Sequence, residues 1–268
     1  MDAQATRPDP IELLPTPPAD GWSLVTDEDY DLAGPEHDAP AAVSAPLRTY
    51  VLCSSPRSGS TLLSEALAFL GCAGTPIEYF DPTNAMGVVW ARWGCRTLDE
   101  YVDCLHRRRA SPSGLFGTKL HWFQLVALHR ARTGASTRAL SLDELGDTFR
   151  RVGPDAAVVR VLREDRQRQA LSWARAEQTG CWYTKAGQAP PPVPEVSDVE
   201  HRHYLDRLEE EESSWAALLD HLGVEPLVVR YEDLRDDHAG TVAAVARHIG
   251  CPVAADAVPE PRLVRQSR

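Results

Sequence analysis

"TYVLCSSPRSGSTLLSEALAFLG", residues 49–71, decides how this chain is read. An apolar run with strand character, "TYVLC" (49–53), enters a small-residue loop, "SSPRSGST" (54–61), and a helical pattern, "TLLSEALAFLG" (61–71), leaves it. Strand, loop and helix in that order gather backbone N–H groups and a helix N-terminus around one point, which favours an anionic ligand. A nucleotide-hydrolysing loop would read G-x-x-x-x-G-K-[ST], with the lysine on the terminal phosphates and the hydroxyl on magnesium. In this register Gly59 and Thr61 fit, but Ser54 fills the first glycine slot and Ser60 the lysine slot. The positive charge sits at Arg57, inside the loop. An ordinary strand-to-helix turn has the same small residues, so the rest of the chain must decide.

The 268 residues suffice for one large domain or two small ones with a stable core. A charged fraction of 25% and a hydrophobic fraction of 43% are ordinary for a soluble chain. The net charge of -11 argues against a broad nucleic-acid-binding face, which needs clustered Lys and Arg. An anionic small molecule would instead need a local knot of arginines. The six cysteines, at 53, 72, 95, 104, 181 and 251, show no C-x-x-C pair and no metal-ligand spacing. They read as reduced thiols of a cytoplasmic protein with no metal site. No basic start leads into an apolar run, and no segment approaches the roughly 20 apolar residues that cross a membrane.

Residues 1–47 are rich in proline and acidic residues, without a sustained period of 3.6 or 2, and are expected to form a largely disordered extension. "GWSLV" (21–25) is an apolar patch within it that could dock on a domain spanning 48–268. Beyond it strands and helices alternate: "YVLC" (50–53) with the 61–71 helix, "GLFGTKL" (114–120) with "HWFQLVALHRAR" (121–132), and "AAVVRVLR" (156–163) with "EDRQRQALSWARAEQTG" (164–180). "PLVVRYEDL" (226–234) precedes "DHAGTVAAVARHIG" (237–250), with Asp237 placed to cap it and Gly250 to end it. The alternation predicts βαβ units, hence an α/β fold with a mainly parallel central sheet flanked by helices. Residues 199–223 form an amphipathic helix whose "EEEE" (209–212) reads as its solvated face. "AGQAPPPVPEVSD" (186–198) is a long proline-rich loop, either a lid, a partner surface or plain disorder.

"VLREDRQRQALSWARAEQTG" (161–180) is the second informative stretch. Arg163 ends a strand, Asp165 can cap the next helix, and Gln169 and Ser172 share a helical face. A strand-end guanidinium and a hydroxyl two turns into the helix could hold a second phosphate. The same spacing also suits a surface helix with scattered Arg and Gln.

Together the two stretches resemble the phosphate-binding elements of sulfotransferases that use 3′-phosphoadenosine 5′-phosphosulfate. The chain is most similar to the bacterial trehalose 2-sulfotransferase family. The resemblance rests on "RSGSTLL" (57–63), "GCAGTPIEYF" (71–80), "GTKLHW" (117–122), "LRED" with "QALSWARA" (162–176), and the order "EE", "W", "VEP", "YEDL" and "IG" over 210–250. It implies a P-loop-like three-layer domain in which Arg57, Ser58, Gly59, Ser60 and Thr61 hold the donor's 5′-phosphosulfate. It further implies that Arg163 and Ser172 hold the 3′-phosphate, that Glu78 of "IEYF" is the catalytic base, and that no metal is needed. The family's "RQ" lid corresponds to Arg265 and Gln266 in "RLVRQSR" (262–268), here expected to be shortened. The resemblance implies a sugar or small-molecule acceptor and is compatible with a homodimer.

Lys119, at a predicted strand end, either supports the transferring group or acceptor or is structural. His121 is a rival base or a structural histidine. Trp122, Trp173 and Trp182 are candidates to stack on an acceptor, or core residues. Two other classes remain. A small-molecule kinase would need magnesium and an acidic ligand, for which Asp233 is the candidate. A catalytically weak nucleotide-binding relative would keep the pocket without turnover.

Overall fold

In the computed structural model, which describes residues 32–39, 48–81, 85–134, 140–189 and 193–264, the opening stretch lies at the centre. β1 (Arg48–Ser54) is buried at every position but Arg48, as a strand covered on both faces must be. It pairs in parallel with β2 (Leu115–His121) on one side and β3 (Ala157–Leu162) on the other, and β3 pairs with β5 (Leu227–Arg230). The order β2-β1-β3-β5 puts the strand that leads into the 54–61 loop inside a four-stranded parallel sheet.

Alternation along β1 splits the core into two layers. Tyr50 and Leu52 meet Leu63 and Leu67 of α1 (Ser60–Phe69) together with Val242 and Val245 of α9 (His238–His248). Val51 and Cys53 face the opposite layer, which includes α4 (Trp122–Thr133), α5 (Leu142–Val152) and α7 (Asp198–His221), through Leu125, Phe149 and Trp215. α2 (Ala85–Trp93) and α3 (Leu98–Arg108) extend that layer, and α6 (Arg166–Thr179) packs on α7 around Trp173 and Leu208. The result is a single three-layer α/β domain. A separate antiparallel pair joins β4 (Thr184–Lys185) to β6 (Leu263–Val264).

Local signals set the helix starts. Asp165 accepts from the Arg168 N–H and Asp237 from the Gly240 N–H, while Ser141 with Glu144 and Ser197 with Glu200 form capping boxes. Gly250 follows α9 at φ 85°.

The structure departs from the sequence reading at several points. The run "PLVVRYEDL" is not one strand: β5 ends at Arg230 and Tyr231–Asp236 form a short helix, α8, with Asp233 accepting from the Arg230 N–H. α2, α3 and α5 were not foreseen. The "EEEE" run is not uniformly solvated, because Glu211 is buried and Glu212 joins a core ion pair. Residues 32–39, inside the expected extension, pack on the domain with Leu32 and Ala33 buried. "GWSLV" lies outside the described residues.

The sheet has two edges. β2 is covered by the 75–79 segment, whose Ile77 carbonyl accepts from the Lys119 N–H at 3.0 Å. β5 has only four residues, and its Arg230 pairs with Glu164 at 3.0 Å.

Candidate functional site

β1, β2 and β3 end at Ser54, His121 and Leu162, so the loop 55–59, the start of α4 and Arg163 meet at the carboxyl end of one parallel sheet. Ligands bind at this edge in open α/β folds, because the loops there are free to vary while the strands hold their roots.

The loop is held from three sides. Gln169, buried on α6, donates to the Ser55 hydroxyl at 3.0 Å and to the Pro56 carbonyl at 2.8 Å. The Ser55 hydroxyl donates to Glu212 of α7 at 2.6 Å. Glu212 in turn pairs with Arg160 of β3, whose guanidinium also donates to the Cys53 carbonyl at 3.2 Å. Gly59 caps α1 at φ 87°, and a methyl group there would meet the Tyr231 ring at 2.8 Å. Only glycine accepts both conditions without strain.

Arg57 also has a positive φ, 63°, a conformation that costs a non-glycine residue about 1–2 kcal/mol. Such strain persists only where surroundings over-determine it, and it clusters at functional sites. Here Arg57 Nε donates to Ser172 Oγ at 2.9 Å, and Nη1 donates to the Trp182 carbonyl. Arg163, lying over the Tyr231 ring at 4.8 Å, donates to the Arg57 carbonyl at 3.4 Å. Burial, with the neighbouring Arg163 charge, pushes the Arg57 guanidinium down to about 10. Ser58 Oγ is buried without a hydrogen-bond partner among the described residues. Two adjacent guanidiniums, an unanswered hydroxyl and a helix N-terminus make a cradle for an anion. The two sequence stretches therefore converge, with Ser172 touching Arg57 directly.

A second cluster adjoins the cradle. Lys119 Nζ donates to Thr61 Oγ1 at 2.9 Å and pairs with Glu78 Oε1 at 2.7 Å. Gln124 Nε2 donates to Glu78 Oε2 at 2.6 Å and to Asp81 at 3.2 Å, while its carbonyl accepts from the His121 N–H at 2.9 Å. His121 Nε2 lies 3.6 Å from Glu78 Oε1, and Nδ1 lies 3.1 Å from both oxygens of Ser54. Burial alone would push the Glu78 carboxyl up, but Lys119 and His121 together hold it well below the usual carboxylate range. Burial would lower His121, yet Glu78 holds it above its ordinary value. At Glu211 burial outweighs the pull of His121 and Arg207 and pushes the carboxyl up to about 7.

Thr61 and Lys119 thus join the cradle to Glu78. Of the aromatic candidates, Trp173 is core against Tyr204, Trp122 packs edge-on against Trp215, and Trp182 is 39% exposed. Asp233 is an exposed residue of α8. Arg265 and Gln266 lie outside the described residues. Sequence reasoning missed Arg160, Gln124 and Glu212. A charged residue among the apolar positions of "VVRVL" was the available signal for Arg160, and the His121–Gln124 spacing for Gln124. Among the described residues no helix is long and apolar enough to cross a membrane, and no His, Cys, Asp or Glu cluster could hold a metal ion.

Residues 49–268 match the family described as Stf0 sulphotransferase. A trehalose 2-sulfotransferase of Mycobacterium tuberculosis is 30% identical over 258 residues, covering 84% of this chain and 92% of that protein. A trehalose 2-sulfotransferase of Mycolicibacterium smegmatis is 29% identical over 230 residues, covering 75% of this chain and 84% of that protein. The sulfotransferase domain of the Synechococcus PCC 7002 olefin synthase superposes with a TM-score of 0.43 at 14% identity, over 82% of this chain and 78% of that one.

Proposed function

The chain belongs to the Stf0 sulphotransferase family, and from that premise we propose that it moves a sulfuryl group from 3′-phosphoadenosine 5′-phosphosulfate to a hydroxyl of a trehalose-like carbohydrate, with Glu78 as general base. The observation that carries the reading is the contact chain from Arg57 through the loop to Thr61, Lys119 and Glu78, which joins an anion cradle to a carboxylate.

The donor, when bound, supplies an activated sulfuryl group whose bond to the phosphate oxygen breaks as the acceptor oxygen attacks. Arg57, Ser58, Gly59, Ser60 and Thr61 would hold its 5′ end, and Arg163 with Ser172 its 3′-phosphate. The buried Ser58 hydroxyl, without a partner among the described residues, and the adjacent arginines fit such a group. These fixed donors would face the oxygen on which charge grows, the kind of preorganised stabilisation worth several kcal/mol. Glu78 takes the acceptor's proton, and Gln124 holds its second oxygen in place.

Lys119 ties the two halves. It holds Glu78 in a weakly basic state while also reaching Thr61. An anion at the loop competes with Glu78 for that ammonium, and releasing the carboxylate strengthens it as a base. Acceptor activation is thereby tied to an occupied cradle.

Calorimetric titration without metal tests the donor half. 3′-Phosphoadenosine 5′-phosphate binds, and Arg57→Ala and Arg163→Ala each weaken it by about 10- to 100-fold, the loss expected for charged hydrogen bonds of about 1.5–3 kcal/mol. Glu78→Gln keeps that affinity and loses sulfation of trehalose. Magnesium-dependent ATP binding with indifference to the 3′-phosphate would overturn the reading.

A further inference from the structure

The family match begins at residue 49, yet residues 32–39 ahead of it are built into the fold. Arg109, directly after α3 and 1% exposed, donates to the carbonyls of Leu32 and Ala33, both at 2.7 Å, and of Gly34 at 3.1 Å. It also pairs with Asp38 at 3.0 Å. Asp38 accepts from Arg92 at 3.0 and 3.2 Å and from the Trp93 indole N–H at 2.9 Å. The Ala39 N–H donates to the Arg108 carbonyl at 2.6 Å. A guanidinium this far from water is tolerated only where acceptors meet it, and here both terminal nitrogens have theirs while Nε has none among the described residues. One eight-residue segment supplies three carbonyls and a carboxylate.

The other side of Arg109 faces the Glu78 turn. Its guanidinium lies 5.7 Å from the centre of the Tyr79 ring and 5.9 Å from that of Trp93. Tyr79 is fully buried, and its hydroxyl donates to the Thr75 carbonyl at 2.6 Å. The Tyr79 carbonyl accepts from the Tyr101 hydroxyl at 2.7 Å. The 75–81 turn is therefore gripped from two directions, by Lys119 and Gln124 at Glu78 and by the Arg109 cluster at Tyr79.

We propose that residues 32–39 form a strap that positions Glu78: Asp38 and the 32–34 carbonyls fix Arg109, Arg109 fixes Tyr79, and Tyr79 fixes the backbone that carries the carboxylate. Asp38 is a positioning residue and touches no reacting atom. The inference builds on the role proposed above for Glu78, while its structural arm can be read without turnover.

The test uses the full chain as wild type, Asp38→Asn and Trp93→Phe; the first neutralises the carboxylate and the second removes one hydrogen bond to it. Amide hydrogen exchange is followed over 75–81 and, as a remote control, over 238–248. Affinity for 3′-phosphoadenosine 5′-phosphate is measured by calorimetry, and sulfation of trehalose by steady-state kinetics. In Asp38→Asn, exchange over 75–81 rises at least tenfold and that of the control does not. Bisphosphate affinity and donor KM stay within twofold, and kcat falls at least fivefold. Trp93→Phe gives the same pattern with smaller changes. Unchanged exchange over 75–81 in both variants, or an equal rise over 238–248, would overturn the strap. A wild type that neither binds the bisphosphate nor sulfates trehalose would sink the functional reading, while the exchange data still decide the strap.

Discussion

Replacing Glu212 with alanine strips the 55–59 loop of its deepest support. Arg160 is 6% exposed at its side chain and Glu212 11%, so the pair sits largely out of water. The guanidinium donates to Glu212 and to the Cys53 carbonyl and lies 5.8 Å from the Trp215 ring centre, while the other Glu212 oxygen accepts from Ser55. Removing one partner of a buried pair strands the other charge and costs about 3–5 kcal/mol. In a domain of this size each kcal/mol moves the melting midpoint by about 2–4 °C, so a fall of about 6–20 °C is expected. Urea unfolding at pH 7 measures the loss directly. The double variant Arg160→Met, Glu212→Leu should recover stability to wild type or beyond, since apolar replacements of buried pairs are often neutral or stabilising. Donor affinity should not recover with it, because Ser55 still lacks its carboxylate. A Glu212→Ala cost below about 1 kcal/mol, or a double variant as damaged as the single one, would refute this account.

Lys119→Met removes the main charge holding Glu78 down and leaves burial opposed by His121 alone, so the carboxyl shifts upward. Glu78 in the wild type stays ionised to well below the usual carboxylate range, whereas the acid limb of kcat/KM in the variant is expected at higher pH; an unmoved limb would count against Glu78 as the proposed base. Glu211, raised to about 7 by burial, keeps its proton in the folded state at pH values where the unfolded chain has lost it. Stability should therefore fall as pH rises from about 5 through 7, and Glu211→Gln should flatten that fall in urea titrations. Gly59→Ala meets both a positive φ and the Tyr231 ring. It should cost about 1 kcal/mol or more in stability and weaken bisphosphate binding, read by thermal melts and calorimetry.

The α/β class and the loop were legible because they rest on local signals: apolar runs of strand length, helical periodicity, and a small-residue loop between them. The sequence singled out Arg163 and Ser172 from their spacing, but only folding showed both against Arg57. α5 had a readable start in the Ser141–Glu144 capping box followed by Leu142, Leu145, Phe149 and Val152 at helical spacing. The glutamate run misled for a geometric reason. Four consecutive helical residues sweep roughly 300° of arc, so on a helix with a buried stripe one must turn inward. Trp215, one turn beyond Glu211, marks that stripe. The short helix after β5 could not be separated from its strand by period, since "VVRYEDL" offers too few residues to distinguish them. Contacts such as Arg109 with residues 32–34 span about 75 positions and leave no local trace.

An open parallel sheet has two borders where a neighbouring molecule can add a strand, a ready route from a folded enzyme to an aggregate. In this chain one border is closed by its own 75–79 segment and the other is cut to four residues, ends in a helix, and keeps a paired arginine at its tip. Shelf life in concentrated solution is thus written into the borders of the sheet, and an Arg230→Val exchange would be the place to watch it fail.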